Sequence, residues 1–251
     1  MSTSLRYFDR SPYTIAVIGA ASGIGKATAA FLVEQGAVVH CIDRDAEGVG
    51  AVARALGQPY DVADVADHAT LDKAVAAAIA RHGTLHALVN CAGITGRTNL
   101  RAHEVDIDDF DAVYRINLRG AFLVSRAVLP HMVANGYGRL LHVASIAGKD
   151  GNAGMLAYSA TKAGLIGMVK SMGKDYAETG VTINALAPAV IRTPMVAALP
   201  DATVKYMTDK IPMRRCGELD EASAMIAWIL SPACSFTTGF TFDLTGGRAT
   251  Y

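Results

Sequence analysis

Apolar positions in this chain follow two rhythms that trade places along its length. The runs TIAVIG from Thr14, AVVHCID from Ala37, LHALVN from Leu85, RLLHVAS from Arg139, VTINALA from Val181 and FTFDL from Phe240 are almost unbroken by polar residues. A strand with one wet face would alternate, so these runs predict strands covered on both sides, as in a parallel sheet. A further short strand is predicted around Gln58 to Asp61. Between the runs the apolar residues recur at helical spacing. GIGKATAAFLVEQG stops on Gly36, HATLDKAVAAAIARHG stops on Gly83, and a longer stretch runs from about Asp108 into RAVLPHMVANG. A glycine just past the last turn ends a helix readily because it accepts positive φ without a Cβ clash. The stretch AYSATKAGLIGM from Ala157 reads as a buried helix holding Tyr158 and Lys162 four places apart. Strand and helix alternating in this way, joined by right-handed crossovers, predict an α/β fold: a doubly wound parallel sheet of about seven strands with helices on both faces.

A length of 251 residues suits one domain, 1–251, around one sizeable core. The segment from about 190 to 217 has no strand character and carries Pro194, Pro200 and Pro212. It is expected to be a substrate loop or lid, although an ordinary surface excursion has the same composition. Hydrophobic residues at 51% against 18% charged argue for a well-packed, enzyme-like body rather than a disordered chain. Lys plus Arg and Asp plus Glu both number 23, so no net field draws the protein to nucleic acid or to an anionic membrane. Cys41, Cys91, Cys216 and Cys234 stand far apart without a C-x-x-C, which supports neither a metal site nor a disulfide framework and fits reduced thiols in the cytoplasm. The opening MSTSLRYFDRSPY has no apolar signal core, and no stretch is expected to enter a membrane.

Candidate chemistry begins where the first strand ends. Gly19, Gly23 and Gly25 in VIGAASGIGKA open the first helix, where glycine permits a tight turn and close approach of backbone to a pyrophosphate, and where free N–H groups favour negative charge. The spacing G-x-x-x-G-x-G differs from the G-x-G-x-x-G of other dinucleotide folds, and alone it fits a mere tight turn equally well. Asp43 ends the second strand about twenty residues on, where a carboxylate can accept both ribose hydroxyls of an adenosine. A 2′-phosphate would meet it as a like charge, and Ser22 rather than a basic residue precedes Gly23, so NAD is expected over NADP. Arg44 beside it reads either as a solvated turn residue or as a phosphate ligand.

Further along, GAASGIG, YDVAD, NCAG, NLRG, Ser145 thirteen places before Tyr158, YSATK and NALAPAVIRTP follow in order. In this set the chain resembles the short-chain dehydrogenase/reductase family over essentially its whole length. The resemblance implies a single Rossmann-like domain, a nicotinamide cofactor and a catalytic group of Asn117, Ser145, Tyr158 and Lys162. It also implies that Gly19, Ser22, Gly23, Ile24 and Gly25 cradle the pyrophosphate. Asp61 and Val62 would meet adenine, Asn90, Ala92 and Gly93 the adenosine ribose, Tyr158 and Lys162 the nicotinamide ribose, and Pro188, Ile191 and Thr193 the carboxamide. Ile18 and Ala189 depart from the family's usual Thr and Gly. Singly, these residues have plainer readings: Ser145 as a strand-end turn, Tyr158 as packing, Lys162 as a snorkelling cation, Asn117 as a helix kink and Asp61 as a strand end. His131 and His142 are read as structural, since no G-x-S-x-G elbow accompanies them.

Residues four apart share a helical face, so a Lys162 ammonium can sit close to the Tyr158 phenol. Bringing a phenol from ~10 to about 7 takes roughly 4 kcal/mol, which one positive charge at ~4 Å supplies at an effective dielectric of ~20. Tyr158 is then the base, Ser145 holds the substrate oxygen, and by resemblance Asn117 supports a water linking Lys162 to solvent. Arg97, Lys149, Asp150 and Asn152 border the expected pocket and, with Ser145 and Tyr158, favour a polar, hydroxyl-bearing substrate. Arg248 in the tail is expected to bind an anionic substrate across a subunit interface, a frayed terminus being the plainer alternative. The general resemblance to bacterial sugar-pathway members of the family implies, by analogy only, a sugar or 2-keto-3-deoxy sugar-acid dehydrogenase. The alternatives are a reductase of 3-oxoacyl or cyclic ketones and a non-catalytic dinucleotide sensor. Apolar helix faces in DAVYRINLRGAFLVSRAVL and KAGLIGMVKSMGKDYA, and the resemblance, imply a homotetramer or homodimer.

Overall fold

A computed structural model of the chain describes residues 7–8, 12–249 and 251. Most of the opening stretch read as lacking a signal core, 1–6 and 9–11, lies outside the described residues, as does residue 250 of the tail. The strands are β1 (Thr14–Ile18), β2 (Val38–Asp43), β3 (Tyr60–Val62), β4 (Ala87–Asn90), β5 (Gly138–Val143), β6 (Val181–Pro188) and β7 (Thr241–Leu244). They form one sheet in the order β3-β2-β1-β4-β5-β6-β7, and every pairing is parallel. The helices are α1 (Gly23–Glu34), α2 (Ala46–Leu56), α3 (His68–His82), α4 (Ile107–Tyr114), α5 (Gly120–Ala134), α6 (Ala147–Asp150), α7 (Leu156–Asp175), α8 (Pro194–Ala197), α9 (Asp201–Thr208) and α10 (Leu219–Leu230).

The unbroken apolar runs are explained by what covers each face. Along β1, Ile15 and Val17 join Leu32 of α1 and Ile226 and Leu230 of α10, while Ala16 and Ile18 join Leu71 and Val75 of α3 and Val124 and Val128 of α5. Successive residues point to opposite faces, so a strand buried twice is mostly apolar along its whole length. On the second face α7 adds Leu165, Ile166 and Val169, packed with Ala121 and Ala185. Among the described residues no helix is long and apolar enough to cross a membrane.

The strand order turns around at β1, which pairs with β2 on one side and β4 on the other. In a doubly wound sheet that divergence opens a crevice at the carboxyl ends of the strands. Here it lies beside Gly19, Asp43 and Asn90, which end or follow β1, β2 and β4.

Two segments gain detail. The long helix from about Asp108 is α4 and α5 joined by a π turn, Arg115–Arg119, with Gly120 N–H reaching back to Arg115 O. The segment around 190–217 carries α8 and α9, and Ile191 pairs with Gly217 in a parallel bridge across its base. Arg192 to Glu218 at 3.1 Å and Arg215 to Glu221 at 2.6 Å reinforce that base.

Candidate active site

The cradle comes from close approach. Gly19 has φ +81°, and a Cβ there would lie 2.9 Å from Ala92 N; a Cβ on Gly25 would lie 2.0 Å from Gly19 O. Only glycine lets the β1–α1 turn, the start of α1 and the β4 loop meet in this way. Ser22 caps α1 with no hydrogen bond from its side chain, Ile24 is half-buried in the first turn, and Thr193 at the root of the 190–217 segment stands 3.8 Å from where a Gly23 Cβ would be. An open helix start lined by backbone suits a pyrophosphate.

Asp43 is held by the turn it serves. Its Oδ2 accepts from Ala21 N at 2.9 Å and its Oδ1 from Asp45 N at 3.0 Å, which fixes the carboxylate while lone pairs remain for ribose hydroxyls. Arg44 is exposed. Val62 pairs with Asp43 in register and is exposed; Asp61, one residue earlier, is bonded to His40. Asn90 is buried at the end of β4, accepting from Ala92 N at 3.1 Å and contacting His142 Nδ1 at 3.3 Å. His142 is itself buried against Ser125 Oγ at 2.9 Å, and burial pushes its pKa down to about 3, so it is a neutral structural group. His131 accepts from Leu85 N at 3.1 Å, likewise within the framework.

The chemical end is assembled from β5, the π turn and α7. Ser145 lies two residues beyond β5 and is buried; its Oγ accepts from Ala147 N at 3.1 Å. Lys162 is only 4% exposed, and its Nζ donates to Val143 O at 2.7 Å, on the strand that carries Ser145. The ammonium lies 5.7 Å from the Tyr158 ring centroid. Asn117, buried in the π turn, clamps the loop after β4: Oδ1 accepts from Ile94 N at 2.9 Å, and Nδ2 donates to Ile94 O at 2.8 Å and to Thr161 Oγ1 at 3.3 Å. A Cβ on Gly93 would lie 3.2 Å from Asn117 Oδ1 and 3.4 Å from Lys162 Nζ, so the glycine admits both side chains to one spot.

The electrostatics depart from the expectation of a phenol lowered by its lysine alone. Burial raises the Tyr158 pKa and the Ser145 hydroxyl pulls it back in part. Burial pushes Lys162 down to about 8, with His142 and Cys91 as its close titratable neighbours. At ~6 Å and an effective dielectric of ~20 a unit charge supplies about 3 kcal/mol, roughly two pKa units, and desolvation of a half-buried phenol offsets a gain of that size.

The residues expected to border the substrate are drawn together mostly by one another. Lys149 Nζ pairs with Asp243 Oδ2 at 2.7 Å and also with the main-chain oxygen of Tyr251. Arg248 reaches Asp150 Oδ2 at 3.1 Å and Asn152 Oδ1 at 2.8 Å within the same chain, strapping the tail to the segment after Ser145. Arg97 stays exposed, its N–H bonded to Asp109. Pro188 O accepts from Ile146 N at 3.0 Å, which ties β6 to that segment; Ile191 is buried in its bridge, and Thr193 Oγ1 caps α8 at Val196 N, 3.3 Å. Sequence reasoning missed Thr161, whose hydroxyl links Asn117 to Tyr158 O, and His40 behind Asp61.

Fold and site together define a dinucleotide-dependent enzyme of the doubly wound class, with a tyrosine, a serine and a buried lysine at the crevice. Residues 19–248 match a family model described as enoyl-(acyl carrier protein) reductase. The chain is 44% identical over 236 residues to 2-dehydro-3-deoxy-L-rhamnonate dehydrogenase (NAD(+)) of Sphingomonas sp. (strain SKA58), covering 94% of each chain. It is 36% identical over 237 residues to the 3-oxoacyl-[acyl-carrier-protein] reductase of Thermotoga maritima, covering 92% of this chain and 95% of the relative. The crystal structure of levodione reductase superposes with a TM-score of 0.90 at 32% identity, over 95% of this chain and 98% of that one. The protein belongs to the short-chain dehydrogenase/reductase family.

Proposed function

We propose that the protein is an NAD-dependent dehydrogenase that interconverts a secondary alcohol and a ketone on a sugar acid of the 2-keto-3-deoxy type. The observation that carries the reading is the convergence of Ser145, Tyr158 and Lys162 beside the glycine cradle, with one strand end anchoring both the serine and the lysine. Asp43, fixed by two backbone donors, favours a ribose diol over a ribose phosphate, and the Sphingomonas relative is named for NAD(+) and for a deoxy sugar acid.

Bound NAD supplies the hydride acceptor and a positive ring. Gly19, Ser22, Gly23, Ile24 and Gly25 hold its pyrophosphate, and Asp43 the adenosine diol. Asp61, Val62, Asn90, Ala92 and Gly93 line the adenosine half, and Pro188, Ile191 and Thr193 the carboxamide. The Ser145 hydroxyl orients the carbinol oxygen, and Tyr158 takes its proton as carbonyl character develops. Lys162, held by Val143 O, keeps a cation behind the phenol and at the nicotinamide ribose. Asn117 fixes the loop that faces it. Arg97, Lys149, Asn152 and Arg248 supply polar and cationic groups around the substrate. The exposed Tyr114 and Phe122 on α4 and α5, the latter 50% exposed, are faces for assembly into a homotetramer or homodimer.

The test follows absorbance of reduced nicotinamide across 2-keto-3-deoxy sugar acids, simple polyols and 3-oxoacyl thioesters. Sugar acids with NAD are expected to give the highest kcat/KM, and a preference for oxoacyl thioesters would overturn the substrate class. Tyr158→Phe should bind NAD normally and lose at least ~100-fold in kcat, the lower range for a general base. Full turnover in that variant would overturn the assignment of the base.

A further inference from the structure

His40 is the one basic side chain in β2, and its ring is only 1% exposed. Its Nε2 lies 2.8 Å from Asp61 Oδ2, and its Nδ1 lies 3.2 Å from His82 Nε2 at the end of α3. The geometry follows from register. Asp61 stands opposite Ile42, two residues beyond His40, so the two side chains share a face and meet diagonally across the β2–β3 pair. One tautomer satisfies the whole chain: His82 Nε2–H donates to His40 Nδ1, and His40 Nε2–H donates to Asp61 Oδ2. Burial lowers the pKa of His40, against the pull of Asp61 and with the push of Arg81, and burial followed by His40 and Arg81 lowers that of His82. Both rings therefore stay neutral at neutral pH, and the chain does not depend on a buried charge.

Among the described residues, only one oxygen of Asp61 is used. The side chain remains 37% exposed, at the edge-strand end next to the Val62–Asp43 pair, where the proposed function puts the adenosine half of the dinucleotide. We propose that His40, backed by His82, is a positioning residue for the cofactor's base: it pins Asp61 Oδ2 so that Oδ1 faces the exocyclic amine of adenine. This rests on the assignment of Asp61 to the adenine pocket. A carboxylate accepts from an amine and repels a carbonyl oxygen, so the arrangement selects adenine over hypoxanthine.

The test is calorimetric titration of the whole protein with NAD and with nicotinamide hypoxanthine dinucleotide, alongside kinetics. The starting protein should favour NAD by roughly 10-fold or more, the worth of a charge-assisted hydrogen bond. His40→Phe should weaken NAD ~3- to 10-fold, leave the hypoxanthine dinucleotide unchanged, and raise KM for NAD without a matching fall in kcat. His40→Gln, which keeps a donor, should recover most of the preference. His82→Ala, at a half-exposed position, should give a smaller loss in the same direction and keeps the test decisive if His40→Phe fails to fold. If Asp61→Ala erases the preference while the His40 and His82 variants retain it, the positioning role is overturned and the adenine pocket stands. If Asp61→Ala retains the preference, the assignment of Asp61 is overturned and the inference falls with it.

Discussion

Lys162→Met should make the protein more stable at neutral pH while abolishing turnover. The ammonium is buried, and among the described residues it forms no ion pair; its anchor is the Val143 carbonyl at 2.7 Å. Its pKa falls from 10.5 to about 8 because burial penalises the charged form, with Cys91 countering slightly. At ~1.4 kcal/mol per unit, the folded state carries a penalty of about 3 kcal/mol for holding the cation. Methionine removes that penalty and fills the channel of the lysine stem, but it leaves the Val143 carbonyl without this donor, at a cost of roughly 1–2 kcal/mol. The net gain is about 1–2 kcal/mol, or roughly 2–6 °C in Tm for a chain of this size.

The pH dependence separates this account from ordinary repacking. Below pH 8 the lysine is protonated in both folded and unfolded states, and the whole penalty is present. Between about 8 and 10.5 the folded state has released the proton that the unfolded state still binds, so the unmodified protein gains stability as pH rises. Above that window both states are neutral and the penalty is gone. Urea unfolding of both proteins from pH 7 to 10 should show the variant ahead at pH 7, with its lead shrinking steadily above pH 8. A variant less stable at pH 7, or a lead that does not change with pH, would refute the reasoning.

Gly19→Ala should destabilise by about 1–3 kcal/mol, since φ +81° disfavours a Cβ that would also press within 2.9 Å of Ala92 N. Chemical unfolding and calorimetric NAD titration should show both stability and affinity falling; a variant matching the starting protein in both would contradict the cradle. Arg248→Gln removes the strap to Asp150 and Asn152 and should raise KM for acidic sugars by ~10-fold, with less effect on neutral polyols and on kcat. Unchanged kinetics on acidic sugars would dispose of a role for the tail.

The sheet was legible because a strand buried on both faces is mostly apolar, its few polar residues such as His40 and His142 being hydrogen-bonded, and the apolar runs mark its strands to within a residue or two at most ends. What escaped was helix in unpromising dress. α2 contains Gly48 and Gly50, which weaken a helical reading, yet both are packing glycines: a Cβ on Gly48 would lie 2.4 Å from Asp45 Oδ2, and one on Gly50 would lie 3.3 Å from the Tyr60 ring. Its caps, Asp45 and the left-handed Gly57, were the readable signal. α10 begins on a glutamate capping box rather than on a serine or threonine. In the segment after 190, read as a loop or lid, the prolines hid two short helices: Pro194 opens α8 and Pro200 caps α9, positions where proline's missing N–H costs nothing.

The site divides along the same physical line. Contacts set by local periodicity could be read directly: four residues on a helix bring Lys162 beneath Tyr158, and a strand-to-helix turn makes the glycine cradle. Contacts set by strand register or by chain return could not. His40 meets Asp61 because β2 and β3 pair with Ile42 opposite Asp61, and Arg248 meets Asp150 because the tail folds back over α6. Energies were harder to read than contacts, for a related reason. Spacing reveals that a cation stands near a phenol, but the sign of the phenol's shift depends on how much water both have lost, and that is a property of the whole fold. Burial moves Tyr158 up and Lys162 down, each toward its neutral form. A lysine at about 8 still holds its proton at neutral pH, so the protein by itself pairs an ammonium with a neutral phenol, and a further positive charge at the crevice would favour release of the Tyr158 proton.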